Sequence, residues 1–151
     1  MTGDADESAS SATVEDRREE WKGPVPVPSG ANTEFWAATL EGELLYQHCE
    51  ECGTAQLYPR AVCTGCGAVD PPFERSEGVG SVYTYTVCHV PGEPGFGDRT
   101  PYVVAAVDLA EGPRLLALVD CAPDAIEVGD SLEVRFWQVS DEAAVPVFVP
   151  A

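Results

Sequence analysis

Positive charge is what this chain lacks most. Eight basic residues stand against 26 acidic ones, for a formal net charge of −18, and Lys22 is the one lysine among them. Nonspecific nucleic-acid affinity is built on Lys and Arg contacts to phosphate, so this balance argues against a polyphosphate partner and against an anionic membrane surface. Long apolar runs are also missing. No stretch of 18 apolar residues occurs, which excludes a helical membrane span. The start, Met1 to Ser11, is acidic and small, without the basic opening and apolar stretch of a secretion signal. The expected location is the cytoplasm, where clustered cysteines bind metal more often than they form disulfides.

Catalytic groups are scarce too. The histidines are His48 and His89. His89 adjoins Cys88, but neighbours on a strand point to opposite faces and cannot act as a nucleophile–base pair. No G-x-S-x-G, P-loop or dinucleotide fingerprint is present. The expectation is a chain that is not an enzyme. Its acidity fits a salt-adapted cytoplasm, a GC-rich genome or a plain solvated surface.

What the chain does have is a duplicated cysteine motif. Cys49-Glu50-Glu51-Cys52-Gly53 and Cys63-Thr64-Gly65-Cys66-Gly67 are two C-x-x-C-Gly knuckles. Each turn aims two thiolates at one point, and the closing glycine permits a positive φ. Four sulfurs from Cys49, Cys52, Cys63 and Cys66 suit a tetrahedral, structural Zn²⁺. Iron in the same site, as in an electron carrier, is the competing reading. His48 beside Cys49 is either an outer cover of the metal or an ordinary strand residue.

Four segments follow from pattern. Residues 1–30 read as a disordered acidic tail and a Pro-rich arm. Seven acids fall within the first 20 residues, and Pro24, Pro26 and Pro28 impose an extended arm with Trp21 as an apolar anchor. Residues 31–43 read as a docking helix over Thr33 to Glu41, capped by Asn32 or Thr33 and stopped by Gly42. Residues 44–72 read as a zinc ribbon with short strands at 44–49 and 55–58. Residues 73–151 turn to β pattern, with strands at 78–90, 101–109, 113–121, 131–139 and 145–149. Gly78 and Gly80 allow sharp curvature in the first of these. Five such strands predict a small closed barrel of OB type, so the fold class is mainly β. The loop from Pro91 to Thr100 is longer than a hairpin needs and carries Phe96 and Arg99.

Several motifs together resemble a known family. They are Phe35-Trp36, the two knuckles, Tyr58-Pro59-Arg60, Gly80-Ser81-Val82-Tyr83-Thr84-Tyr85-Thr86-Val87, Pro94-Gly95-Phe96, Pro101-Tyr102-Val103-Val104-Ala105 and Val145-Pro146-Val147-Phe148-Val149-Pro150. The combination is similar to the acyl-CoA-associated OB-fold and zinc-ribbon proteins, with a rubredoxin-like ribbon, across residues 31–151. The resemblance implies a non-catalytic accessory subunit of a thiolase-like enzyme or a lipid-transfer-protein-type aldolase. Such a complex makes or cleaves carbon–carbon bonds on acyl-CoA thioesters in fatty or steroid side-chain metabolism, with the acyl-CoA held mainly by the partner. The start Pro24-Val25-Pro26-Val27-Pro28 looks closest to members that serve side-chain aldolases. Trp21, Phe35, Trp36, Phe96 and Arg99 are the candidate partner-binding residues of a hetero-oligomer. The alternative is a single-stranded nucleic-acid binder, with Tyr83 and Tyr85 sharing one strand face as a stacking platform.

Overall fold

The computed structural model describes residues 11–91 and 99–151. A barrel lies at the centre. Its strands are β5 (Val79–Cys88), β6 (Tyr102–Leu109), β7 (Arg114–Val119), β8 (Ser131–Gln138) and β9 (Ala144–Pro150). β5, β6 and β7 form an antiparallel meander, β9 pairs parallel with β7, and β8 lies between β9 and β5. That closed order is the OB topology expected from the strand count. The inward-facing side chains fill the interior: Val103, Val107, Leu132, Phe136 and Phe148 are fully buried. A side chain at Gly80 would collide with the Asp108 carbonyl and Val107, so β5 and β6 approach closely there.

One pairing was not anticipated. β1 (Val14–Asp16) lies parallel to the end of β8, with Val14 opposite Phe136 and Asp16 opposite Gln138. β5 contacts β8 only through Val79 to Ser81, at the other end of β8. The two strands then diverge, and β1 occupies the edge of β8 left open. Ala12 and Val14 pack against the barrel core. The expectation of a disordered tail is thereby corrected for residues 11–20: an open sheet edge supplies the backbone partners that their composition does not suggest. Residues 1–10 lie outside the described residues.

The helix α1 (Thr33–Thr39) follows a single 3₁₀ turn over Gly30–Asn32. Its end is a Schellman motif. The Gly42 N–H donates to Thr39 O at 3.0 Å and the Glu43 N–H to Ala38 O at 3.0 Å, with Gly42 at φ 77°. Asn32 precedes the helix as expected, but its side chain accepts from the Ser29 N–H at 2.7 Å instead of capping it. Thr39, fully buried, donates to Trp36 O at 2.6 Å and accepts the Ala144 N–H at 3.0 Å. That hydroxyl fixes the helix to β9.

Next come β2 (Leu45–His48) and β3 (Ala55–Gln56), the two short strands expected around the first knuckle. A third strand, β4 (Phe73–Arg75), pairs antiparallel with β2. The knuckle unit's sheet thus extends past Pro71-Pro72, where the sequence signals an end. Leu44 and Leu45 belong to the same buried cluster as the barrel core.

Candidate metal centre and apolar groove

The two knuckles superimpose in their hydrogen bonding. The Cys49 N–H donates to Thr54 O and the Gly53 N–H to Cys49 O; the Cys63 N–H donates to Ala68 O and the Gly67 N–H to Cys63 O. Gly53 and Gly67 take φ of 81° and 82°, the left-handed backbone expected of the closing glycines. The four sulfurs converge within 4.8 Å of one another. Cys49 and Cys66 are 3.7 Å apart, and Cys52 and Cys63 are 3.6 Å apart. A tetrahedron with metal–sulfur bonds of about 2.3 Å has edges of about 3.8 Å, so the donor set fits one four-coordinate metal ion.

The electrostatics agree. Without a cation the cluster cannot hold four negative sulfurs. The Cys63 thiol is lowered to about 6 because the Cys66 amide, and then the Gly65 amide, donate to its sulfur. Cys66 goes the other way, to about 12: the Ala68 amide favours its thiolate, but burial and the three facing sulfurs together outweigh that. A bound cation removes this conflict. Gly65 is needed for space. A methyl there would strike the Thr54 hydroxyl and lie 3.2 Å from the Cys52 sulfur.

The loop between the knuckles is held by two buried glutamines. Gln56 donates to the Gln47 side-chain carbonyl at 2.8 Å, and that same oxygen accepts the Arg60 N–H at 2.8 Å. Gln47 donates to Arg60 O, and Gln56 accepts from Thr64 N–H. Every amide group of this pair is used on backbone or on its partner, so the two side chains tie residues 60–64 to β2 and β3. Neither glutamine is among the expected site residues; polar residues on strands this short are the available signal. His48 proves to be a strand residue whose Nδ1 lies 2.9 Å from Glu74 Oε2 on β4.

Of the five candidate partner residues, three come together. Trp21, Phe35 and Trp36 line an apolar groove of about 390 Å³ with Pro24, Tyr58, Leu116 and Pro146. Phe35 turns mostly inward and is 3% exposed, so it is a core residue and not a surface anchor. Trp36 packs edge-on against it at 4.9 Å. Arg99 does not line the groove but lies against its Trp21 wall, over the Trp21 and Trp137 rings at 5.3 and 5.1 Å, with Arg17 over Trp137 at 4.1 Å. Phe96 lies outside the described residues. Tyr58 and Pro146 stand in motifs that carry the family resemblance, but neither they nor Leu116 are among the expected partner-binding residues. A signal existed: Leu115 and Leu116 make β7 apolar on both faces, which a solvated outer face does not need.

The supposed stacking platform does not form. A register shift between Val82 and Thr84 breaks the alternation of β5. Tyr83 is exposed under the Arg114 guanidinium at 3.4 Å, whereas Tyr85 packs against the core.

Comparison with known proteins agrees with this geometry. Residues 36–70 match the model of the ChsH2 rubredoxin-like zinc ribbon domain, and residues 74–137 that of the ChsH2 C-terminal OB-fold domain. A DUF35 domain-containing scaffold protein of Methanothermobacter thermautotrophicus is 38% identical over 62% of this chain and 71% of its own. A probable enoyl-CoA hydratase alpha subunit of Thermomonospora curvata is 38% identical over 85% of this chain, which spans 40% of that longer protein. Among solved structures, a chain of an Ltp2-ChsH2(DUF35) aldolase aligns with TM-score 0.72 and 35% identity over 83% of this chain and 98% of its own. A DUF35 protein of unknown function from Sulfolobus solfataricus shares the fold, with TM-score 0.59 and 14% identity over 82% of this chain and 87% of its own.

Proposed function

Because the chain belongs to the DUF35 family, with ribbon and OB-fold domains of the ChsH2 type, we propose that it is the non-catalytic scaffold subunit of an enzyme complex acting on acyl-CoA thioesters. The partner is an Ltp2-like or thiolase-like subunit that carries the chemistry, and the reaction is carbon–carbon bond cleavage or formation. The observation that carries this reading is the likeness to the aldolase-complex chain, which this chain covers almost end to end. The make-up of the site supports it. The clustered thiols are committed to a closed four-sulfur centre with no position for substrate, and His48 is engaged by Glu74.

The metal is Zn²⁺ in a structural role. Cys49, Cys52, Cys63 and Cys66 hold it, and it fixes the two knuckles against each other. The working location is the cytoplasm; among the described residues no helix is long and apolar enough to cross a membrane.

The test is to produce the Ltp2-type subunit of the same organism with and without this chain. Co-elution of the two, and retro-aldol activity or solubility of the partner only when both are present, is the expected result. Equal activity of the partner alone overturns the scaffold reading. Turnover of an acyl-CoA by this chain alone overturns the non-catalytic one.

A further inference from the structure

Resting on that scaffold reading, we propose that the groove between the Pro24–Pro26 arm, α1 and the outer face of β7 is the docking site for the catalytic partner, which fills it with an apolar segment flanked by basic residues. The groove is lined without a charged side chain, in a chain whose net charge is −18. Large apolar side chains stand open to solvent there: Leu116 is 64% exposed, Tyr58 48% and Val25 45%. Gathered in one concavity, such residues mark a binding surface.

Its walls are set in advance. The Trp21 indole N–H donates to Pro24 O at 2.9 Å, and its ring meets Trp137 edge-on at 6.4 Å. Tyr58 is held by the Leu116 N–H at 2.9 Å. A partner therefore meets ordered aromatic rings and does not have to immobilise them, which favours affinity.

The backbone says what kind of segment fits. β7 meets β9 only at Leu118 and Val119, and beyond them the two strands part to make the groove floor. The Leu116 N–H on that open edge is already taken by Tyr58. An added strand would have to displace that bond, so the groove receives apolar side chains and not a new strand.

Charge then chooses the occupant. A second copy would set −18 against −18, and like charges across an interface oppose assembly. Exposed Glu20 and Glu34 are chain neighbours of the lining residues Trp21 and Phe35; Lys22, also next to Trp21, and Arg99, over the Trp21 ring at 5.3 Å, are the cations beside them, so the acidic bias rests on the net charge of −18. A partner whose apolar anchor is bordered by Arg or Lys meets both the groove and its surroundings.

The experiment uses the full chain and the Ltp2-type subunit of the same organism, with affinity measured for Leu116→Glu, Val25→Asp and the control Val128→Glu. Val128 is 65% exposed and does not line the groove. Each groove variant is expected to weaken binding by about tenfold or more, with zinc content and far-UV circular dichroism unchanged. The control is expected to bind like the wild type, and the wild-type association rate to fall as salt rises. Should Leu116→Glu misfold, Val25→Asp on the exposed arm probes the opposite wall. Wild-type affinity in both groove variants overturns the groove and leaves the scaffold reading standing. No binding by the wild type overturns the scaffold reading and the groove with it. A dimer of this chain that Leu116→Glu dissociates assigns the groove to a second copy and overturns the proposal.

Discussion

The Tyr58 hydroxyl accepts the backbone N–H of Leu116 at 2.9 Å, and so ties the loop between the knuckles to the open edge of the barrel. The bond spans 58 residues of sequence and joins two units that each have their own sheet. Tyr58→Phe keeps the ring and removes the acceptor. Leu116 is exposed, so water can replace the hydroxyl, and the expected loss is about 0.5–1 kcal/mol. The local readout is sharper. The Leu116 amide should exchange faster in Tyr58→Phe while the β6 amides keep their protection. Unchanged exchange at Leu116 would show that the bond does not form in solution.

Two glycines in the knuckles should respond differently to alanine. A methyl at Gly53 meets nothing within 4 Å, so Gly53→Ala suffers only the positive φ, a cost of about 1 kcal/mol. A methyl at Gly65 collides with Thr54 and crowds the Cys52 sulfur. Gly65→Ala should therefore reduce metal affinity more than Gly53→Ala. Competition with a chromophoric chelator checks the order, and equal affinities would contradict the packing described here.

The Gln47–Gln56 pair makes a third test. Gln47→Leu removes the partners of both the N–H and the carbonyl of Arg60, and takes from Gln56 one of its two acceptors, leaving Val62 O. Unmet polar groups near a buried site cost about 1–3 kcal/mol each. Urea denaturation of the metal-loaded protein should show a loss in that range, larger than for Tyr58→Phe. A neutral result would mean that water enters the loop and replaces the amide.

The sequence was most legible where a short-range rule governs the outcome. The knuckles are local turns, so spacing alone brings four sulfurs together. The five barrel strands announce themselves because each is long enough to alternate, and Gly42 marks the helix end because its backbone must go left-handed. Features decided by distant partners were not legible. β1 is three residues in an acidic stretch, and it is a strand only because β5 leaves β8 after Ser81. The partition of Phe35 inward and Trp36 onto the groove depends on where α1 meets β9, which helical spacing does not reveal. Tyr83 and Tyr85 part company because one bulge residue shifts the phase. The groove itself joins residues from the arm, α1, the knuckle loop and two strands, so no single window of sequence contains it.

The end of β1 carries the last prediction, a pH dependence. The Asp16 carboxylate accepts from the Arg18 side chain at 3.0 and 2.7 Å and from the Arg18 N–H at 3.1 Å. Those side-chain bonds, and then the backbone bond, lower its pKa from 3.8 to about 2. Arg18 also reaches Asp141 at 2.7 Å, so the same guanidinium links β1 to the turn after β8. The folded carboxyl titrates below the unfolded one. The contribution of the pair is then fully present above about pH 4 and is lost as pH falls towards 2, where the folded group takes up its proton. The pair lies at the surface, so the effect on global stability is small and screened by salt. It should be visible locally. The Asp16 carboxyl carbon, followed by NMR, is expected to titrate near 2 in the wild type and near the ordinary value of about 3.9 in Arg18→Gln. Protection of the β1 amides should weaken over the same interval. A wild-type midpoint near 4 would mean that Arg18 does not hold Asp16, and that β1 rests on its pairing with β8 and the packing of Ala12 and Val14.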